Sequence, residues 1–118
     1  MKIENIVSKK VLLIELEGFA QTETAVNFVE EYNKAVSKIK GKGYTLIVDS
    51  SNLSTFKPDI LPILANCYKL YMSSDFVRIF MINPKQGICK MQVQRVAKNT
   101  NFSGVFLDSL DDAMKRSL

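Results

Sequence analysis

The chain has 118 residues, 47% of them apolar, with two cysteines, no histidine and a formal net charge of +4. That length suits a single domain over residues 1–118, with a core able to bury roughly two thirds of the unfolded surface without metal or disulfide. Lacking histidine, the chain cannot build Cys/His zinc sites, Ser–His or Cys–His nucleophile pairs, or imidazole general bases.

No apolar run approaches the roughly 18 residues that span a bilayer. No basic-then-apolar segment opens the chain. With two isolated thiols, a reduced, cytoplasmic setting is expected, with no metal or cofactor. The charge is uneven. The first 56 residues carry as many acids as bases, whereas Val77 to Leu107 holds five bases (Arg78, Lys85, Lys90, Arg95, Lys98) and no acid.

In chain order, "KIENIV" alternates and is β-prone, "SKK" is a turn, and "VLLIELEG" is a second strand with Glu15 and Glu17 on one face. So short a link demands an antiparallel hairpin. From Thr22 to Lys40, Ala25, Val26, Phe28, Val29, Tyr32, Ala35, Val36 and Ile39 recur at helical spacing. Thr22 is the expected cap, and Gly41 and Gly43 stop the helix. "YTLIVD" is a short buried strand ending at Asp49. A second helix is expected from Pro58, a favourable first helical position, with Ile60, Leu61, Ile63, Leu64, Cys67, Tyr68, Leu70 and Tyr71 on its apolar side. "FVRIFMIN" is a third buried-type strand, closed by Asn83-Pro84. Gly87 to about Asn99 is a weaker helix with Ile88, Met91, Val96 and Ala97 inward. "GVFL" is a last strand, and "SLDDAMKRSL" a helix capped by Ser109. Its Asp111 and Asp112 face the positive dipole end, and Lys115 and Arg116 the negative one. The order β-β-α-β-α-β-α-β-α predicts a compact α/β domain with a four- or five-stranded, mostly parallel mixed sheet, an N-terminal hairpin and about four helices.

This order, with "VLLIELEGFAQTETAVNFVEE", "GYTLIVDSSNLSTFKPDILPIL" and "FVRIFMINP" followed by a helix and "GVFLDSLDDAM", resembles the STAS domain family, the bacterial anti-sigma factor antagonists and their relatives. The resemblance spans nearly the whole chain. It implies a regulatory module that binds an anti-sigma factor or kinase-like partner. In switch-type members a serine in an Asp-Ser-Ser-Gly motif at the second helix start is phosphorylated. Asp49-Ser50-Ser51-Asn52 suggests that motif, but its register differs: Asp49 ends a strand, and the helix start reads Phe56-Lys57-Pro58-Asp59, without a hydroxyl. Asp59 would stand near the serine position as a permanent negative charge.

The candidate partner- or anion-binding residues are therefore Asp49, Ser50, Ser51, Ser54, Lys57 and Asp59, because α/β sheets bind ligands beyond their strands' carboxyl ends and helix N-termini favour anions. The plainer alternative is a polar turn. "DSSNLS" contains no glycine and matches no nucleotide fingerprint. Lys85, Lys90, Arg95 and Lys98 form a candidate basic surface, with Lys90, Gln94 and Lys98 on one helical face. A solvated face is the default for such charge, and aromatics are not interleaved as single-strand nucleic-acid binding requires. Neighbouring lysines would lower the pKa of Cys89, but no base or second thiol beside it supports catalysis. Tyr68, Tyr71 and Met72 are expected to overfill one core face and to leave an apolar patch on the second helix. The expected function is a non-enzymatic, cytoplasmic regulatory module acting on a protein partner, without the family's phosphorylatable serine and without nucleic acid; a homodimer is compatible with this. The alternative is a small-ligand domain for a lipid or anionic metabolite.

Overall fold

The computed structural model describes residues 2–18, 22–53 and 61–117, and within them the side chains of 2–16, 27–53 and 61–117. Its strands are β1 (Lys2–Ile6), β2 (Val11–Gly18), β3 (Thr45–Leu53), β4 (Arg78–Ile82) and β5 (Val105–Leu107). Its helices are α1 (Thr22–Ser37), α2 (Leu61–Met72), α3 (Gly87–Asn99) and α4 (Leu110–Arg116). The radius of gyration, 13.2 Å, is that of one packed unit of this length.

The strands form one five-stranded sheet in serial order, β1 to β5. β1 and β2 make the expected antiparallel hairpin, with Ile6 opposite Val11. One 3-10 turn, Val7–Lys9, links them, and Lys10 closes it in the left-handed region (φ 53°). β2, β3, β4 and β5 are parallel throughout. Right-handed crossovers that each step one strand in the same direction place their helices on the same face. The packing agrees. Phe28, Tyr32 and Val36 of α1, Cys67, Tyr68 and Tyr71 of α2, and Cys89, Val93 and Val96 of α3 all join Leu12, Ile14, Leu46, Val48 and Met81 in one core. The opposite face, with Val11, Leu13, Ile47, Phe80 and Ile82, is covered from Ala113, Leu110 and Met114 of α4.

Several boundaries depart from the sequence reading. α1 ends at Ser37 rather than Lys40. Gly41 and Gly43, both at φ 78°, make the left-handed turn that carries the chain back to β3. The side chain of Thr22 and the residues around Pro58 lie outside those described. β3 does not stop at Asp49 but continues to Leu53, because β2 is long enough to pair with it up to Gly18. Between the pairs Glu15–Asp49 and Glu17–Asn52, β3 spends one residue more than β2. This bulge at Ser50 and Ser51 reverses side-chain alternation. Asp49 therefore shares a face with Ile47, yet Leu53, 6% exposed, returns to the helix-side core.

α3 is also rotated from its expected phase. Cys89, Val93, Val96 and Ala97 are its buried residues, whereas Ile88 and Met91 are each 63% exposed. Residues spaced at four, three and one make the narrower stripe that fits over β4 and β5, and Ile88 and Met91 fall on the far side of it. On α2, Tyr68 and Tyr71 do not belong to the expected apolar patch, while Leu61, Ile63, Leu64, Leu70 and Met72 are half-buried. Both rings are buried in a chain of aromatic contacts running from Phe28 and Tyr32 through Tyr71 and Tyr68 to Phe102.

Candidate functional site

The parallel strands β2 to β5 end on a common edge, and the polar residues of the central loops gather there. From β3 come Asp49 and Ser51, both half-buried, and Asn52, exposed. Asp49 organises the bulge: its Oδ1 accepts the Ser51 backbone N–H at 3.0 Å and the Ser51 hydroxyl at 2.6 Å. A bulge leaves an amide outside the ladder, and an aspartate two residues earlier is the side chain suited to receive it. Ser50 points the other way and is only 2% exposed, so its hydroxyl presents no surface.

The chain leaving β4 lies beside this bulge. Lys85 donates its backbone N–H to the Ser51 carbonyl at 3.3 Å. Asn83, nearly buried, accepts from Gln94 Nε2 at 3.0 Å and donates through Nδ2 to Asp108 Oδ1 at 3.0 Å. Its backbone N–H is taken by the Leu107 carbonyl at 2.8 Å. One amide side chain thus locks the ends of β4 and β5 to α3. Gln86 caps α3 by accepting the Cys89 N–H at 2.7 Å, and Ser109 caps α4 by accepting the Asp112 N–H at 3.1 Å. The rim is therefore a rigid polar edge, held by paired donors and acceptors.

Of the sequence candidates, Asp49 and Ser51 meet at this rim and Lys85 joins them through its backbone. Ser54, Lys57 and Asp59 lie outside the described residues. Lys90, Arg95 and Lys98 belong to α3, Lys90 half-buried and the other two exposed. The Asn83–Gln94–Asp108 network was not visible in the sequence, because its members are 11 and 25 residues apart; only the Asn83-Pro84 strand stop marked the place.

The thiols are not reactive-site thiols. Burial pushes both Cys67 and Cys89 up to about 11, so the lysines near Cys89 do not lower it and each stays protonated at neutral pH. Tyr32 is raised to about 12, chiefly by burial, while its hydrogen bond to Ser74 works the other way. Tyr71 is also raised, first by burial and then by Cys67 and its tyrosine neighbours. Among the described residues no cluster of three or more Cys, Asp or Glu side chains is placed to hold a metal ion, and no helix is long and apolar enough to cross a membrane. No protein-family model matches the chain, and no curated protein is significantly similar to it.

Proposed function

We propose that this chain is a non-enzymatic regulatory module that binds a protein partner in the manner of the anti-sigma factor antagonists. In this proposal the partner meets the carboxyl rim of the sheet around the bulged end of β3 and the entry to α2. One observation carries it: Asp49 and Ser51 are fixed by mutual hydrogen bonds at a half-exposed rim, so they are presented in one geometry at no further ordering cost. The element order behind the STAS resemblance supports the same proposal. The Ser51 hydroxyl is already committed to Asp49, and residues 56–59, where the STAS resemblance puts the helix start, include no hydroxyl. Regulation in this proposal runs through partner competition rather than the family's serine phosphorylation.

The test begins with a photo-crosslinking residue at Asn52 of the full chain in cells, with an equivalent at exposed Val7 as control. A partner captured from Asn52 alone is then purified and titrated. Asp49→Lys and Asn52→Lys should each weaken it at least about tenfold. A partner whose affinity ignores both changes removes the rim from the proposal. Incubation with a serine kinase of the family should leave the chain unmodified; stoichiometric phosphate on Ser51 or Ser54 would show that the helix-start register is misassigned.

A further inference from the structure

The charge of the molecule is concentrated in one stretch. Of 16 bases and 12 acids, residues 61–107 hold six and one, leaving ten and eleven elsewhere. Asp75 is the single acid of that stretch. The whole positive excess therefore lies between α2 and the end of α3, on Lys69, Arg78, Lys85, Lys90, Arg95 and Lys98, and its exposed part on α3 includes Arg95 and Lys98. The ion pairs among the described residues, Lys2 with Glu4 and Asp112 with Arg116, lie on other elements.

The same outer face of α3 carries the two exposed apolar residues Ile88 and Met91. Successive helical residues turn by about 100°, so Ile88, Met91, Arg95 and Lys98 fall within one sector opposite the buried Cys89, Val93, Val96 and Ala97. An Ile and a Met each 63% exposed contribute little to the core. The face is thus apolar along its first turns and basic along its last.

We infer that the outer face of α3 is a docking surface for an acidic, amphipathic segment of a protein partner, with Ile88 and Met91 receiving its apolar side chains and Arg95 and Lys98 its carboxylates. An anionic membrane would be drawn by the same charge, but an interfacial helix needs its broad apolar face turned outward. Here that face is spent on the sheet, and two residues remain. Arg and Met beside a small apolar patch are the composition of a protein interface. The surface is separate from the Asp49 rim, and the inference does not rest on that proposal.

The experiment uses the isotope-labelled full chain and follows its amide signals during titration with a synthetic helical peptide bearing leucines at i, i+3 and i+7 and glutamates elsewhere. Signals of residues 88–98 should shift and those of the β1–β2 hairpin should not. Met91→Ser and Arg95→Glu should each weaken binding roughly tenfold, while Val7→Ser leaves it unchanged. Replacing the peptide's leucines by serines should weaken it similarly, and raising salt from about 0.05 M to about 0.3 M should weaken it further. The inference is overturned if the shifts map outside α3, if the serine peptide binds as well as the leucine one, or if the α3 changes have no effect. Sedimentation with phosphatidylserine–phosphatidylcholine vesicles supplies the other arm: co-sedimentation without peptide binding would overturn the protein partner in favour of a membrane.

Discussion

Tyr68 and Tyr32 make a matched pair for testing how polar atoms are accommodated in the helix-side core. Both rings are fully buried. The Tyr32 hydroxyl donates to Ser74 Oγ at 2.9 Å, whereas the Tyr68 hydroxyl has no partner among the described residues. Its ring is stacked on Phe102 with centroids 4.6 Å apart, a contact that phenylalanine would keep. A buried hydroxyl without a partner costs about 1–3 kcal/mol, while a satisfied one contributes about 0.5–1.5 kcal/mol. Tyr68→Phe should therefore stabilise the protein by about 1 kcal/mol or more. Tyr32→Phe should destabilise it by about 1 kcal/mol, and not by much more, because Ser74 still donates to the Leu70 carbonyl at 2.7 Å.

Urea unfolding at neutral pH separates the two. With a denaturant slope of about 1–3 kcal/mol/M, a change of about 1 kcal/mol moves the midpoint by roughly 0.5 M, and the two variants should move it in opposite directions. A Tyr68→Phe protein that loses as much stability as Tyr32→Phe would refute the reasoning. It would mean that the Tyr68 hydroxyl is satisfied in solution, by a buried water or a small ligand, and would revive the ligand-binding alternative. The core lets the two results be compared directly: both tyrosines contact Tyr71, so neighbouring packing is common to them.

Three further outcomes follow from particular residues. A Cβ at Gly104 would overlap the Phe102 ring and press on Ile79, so Gly104→Ala should cost about 1–3 kcal/mol, seen as a lowered urea midpoint and a changed near-ultraviolet spectrum. Ser109→Ala removes the acceptor for the Asp112 N–H and should cost about 1 kcal/mol by thermal unfolding. The third concerns alkaline pH. Cys67 and Cys89 keep their protons to about 11 in the folded chain, against an ordinary value of 9.0. The unfolded chain loses those protons first, so stability is complete below about pH 9 and falls as pH rises through about 11. Urea midpoints across that window should decline, and less steeply in Cys67→Ala. A flat profile would show that the thiols are exposed to water.

Much of the fold could be read in the sequence because its signals are local. The left-handed turn at Gly41 and Gly43, the Ser109 cap with its dipole-matched charges, and the too-short hairpin link each act within a few residues, and each appears where expected, although α1 itself ends three residues early at Ser37. The end of β3 was not legible. Asp-Ser-Ser-Asn is a turn by composition, yet pairing with the long β2 draws it into the sheet and a bulge absorbs the mismatch. The phase of α3 failed for a related reason. Ile88 and Met91 outrank Cys89 and Val93 in size, but the site over β4 and β5 selects by position rather than by bulk. The rim residues Asp49 and Ser51 were legible as a polar cluster. Asn83 and Asp108, which lock the neighbouring strand ends, were not, because only the serial strand order brings them together.

That serial order also explains why the two proposed surfaces are distinct. Three crossovers stepping the same way leave α3 as the last of the three helices on its face, after β4 and before the three-residue strand β5. On its side away from the sheet α3 bears Arg95 and Lys98 exposed to solvent, where charge carries small desolvation cost. The rim, by contrast, is built from the ends of β3, β4 and β5, where carboxylates and amides pair with one another. Salt should therefore separate them. Binding through Arg95 and Lys98 should weaken steeply as ionic strength rises, because exposed charges are screened over a Debye length of about 8–10 Å. Binding through the prearranged Asp49–Ser51 edge depends more on shape and hydrogen bonds and should change less. A partner at the rim whose affinity collapses with salt as an α3 ligand's does would argue that one electrostatic surface, not two sites, governs what this chain binds.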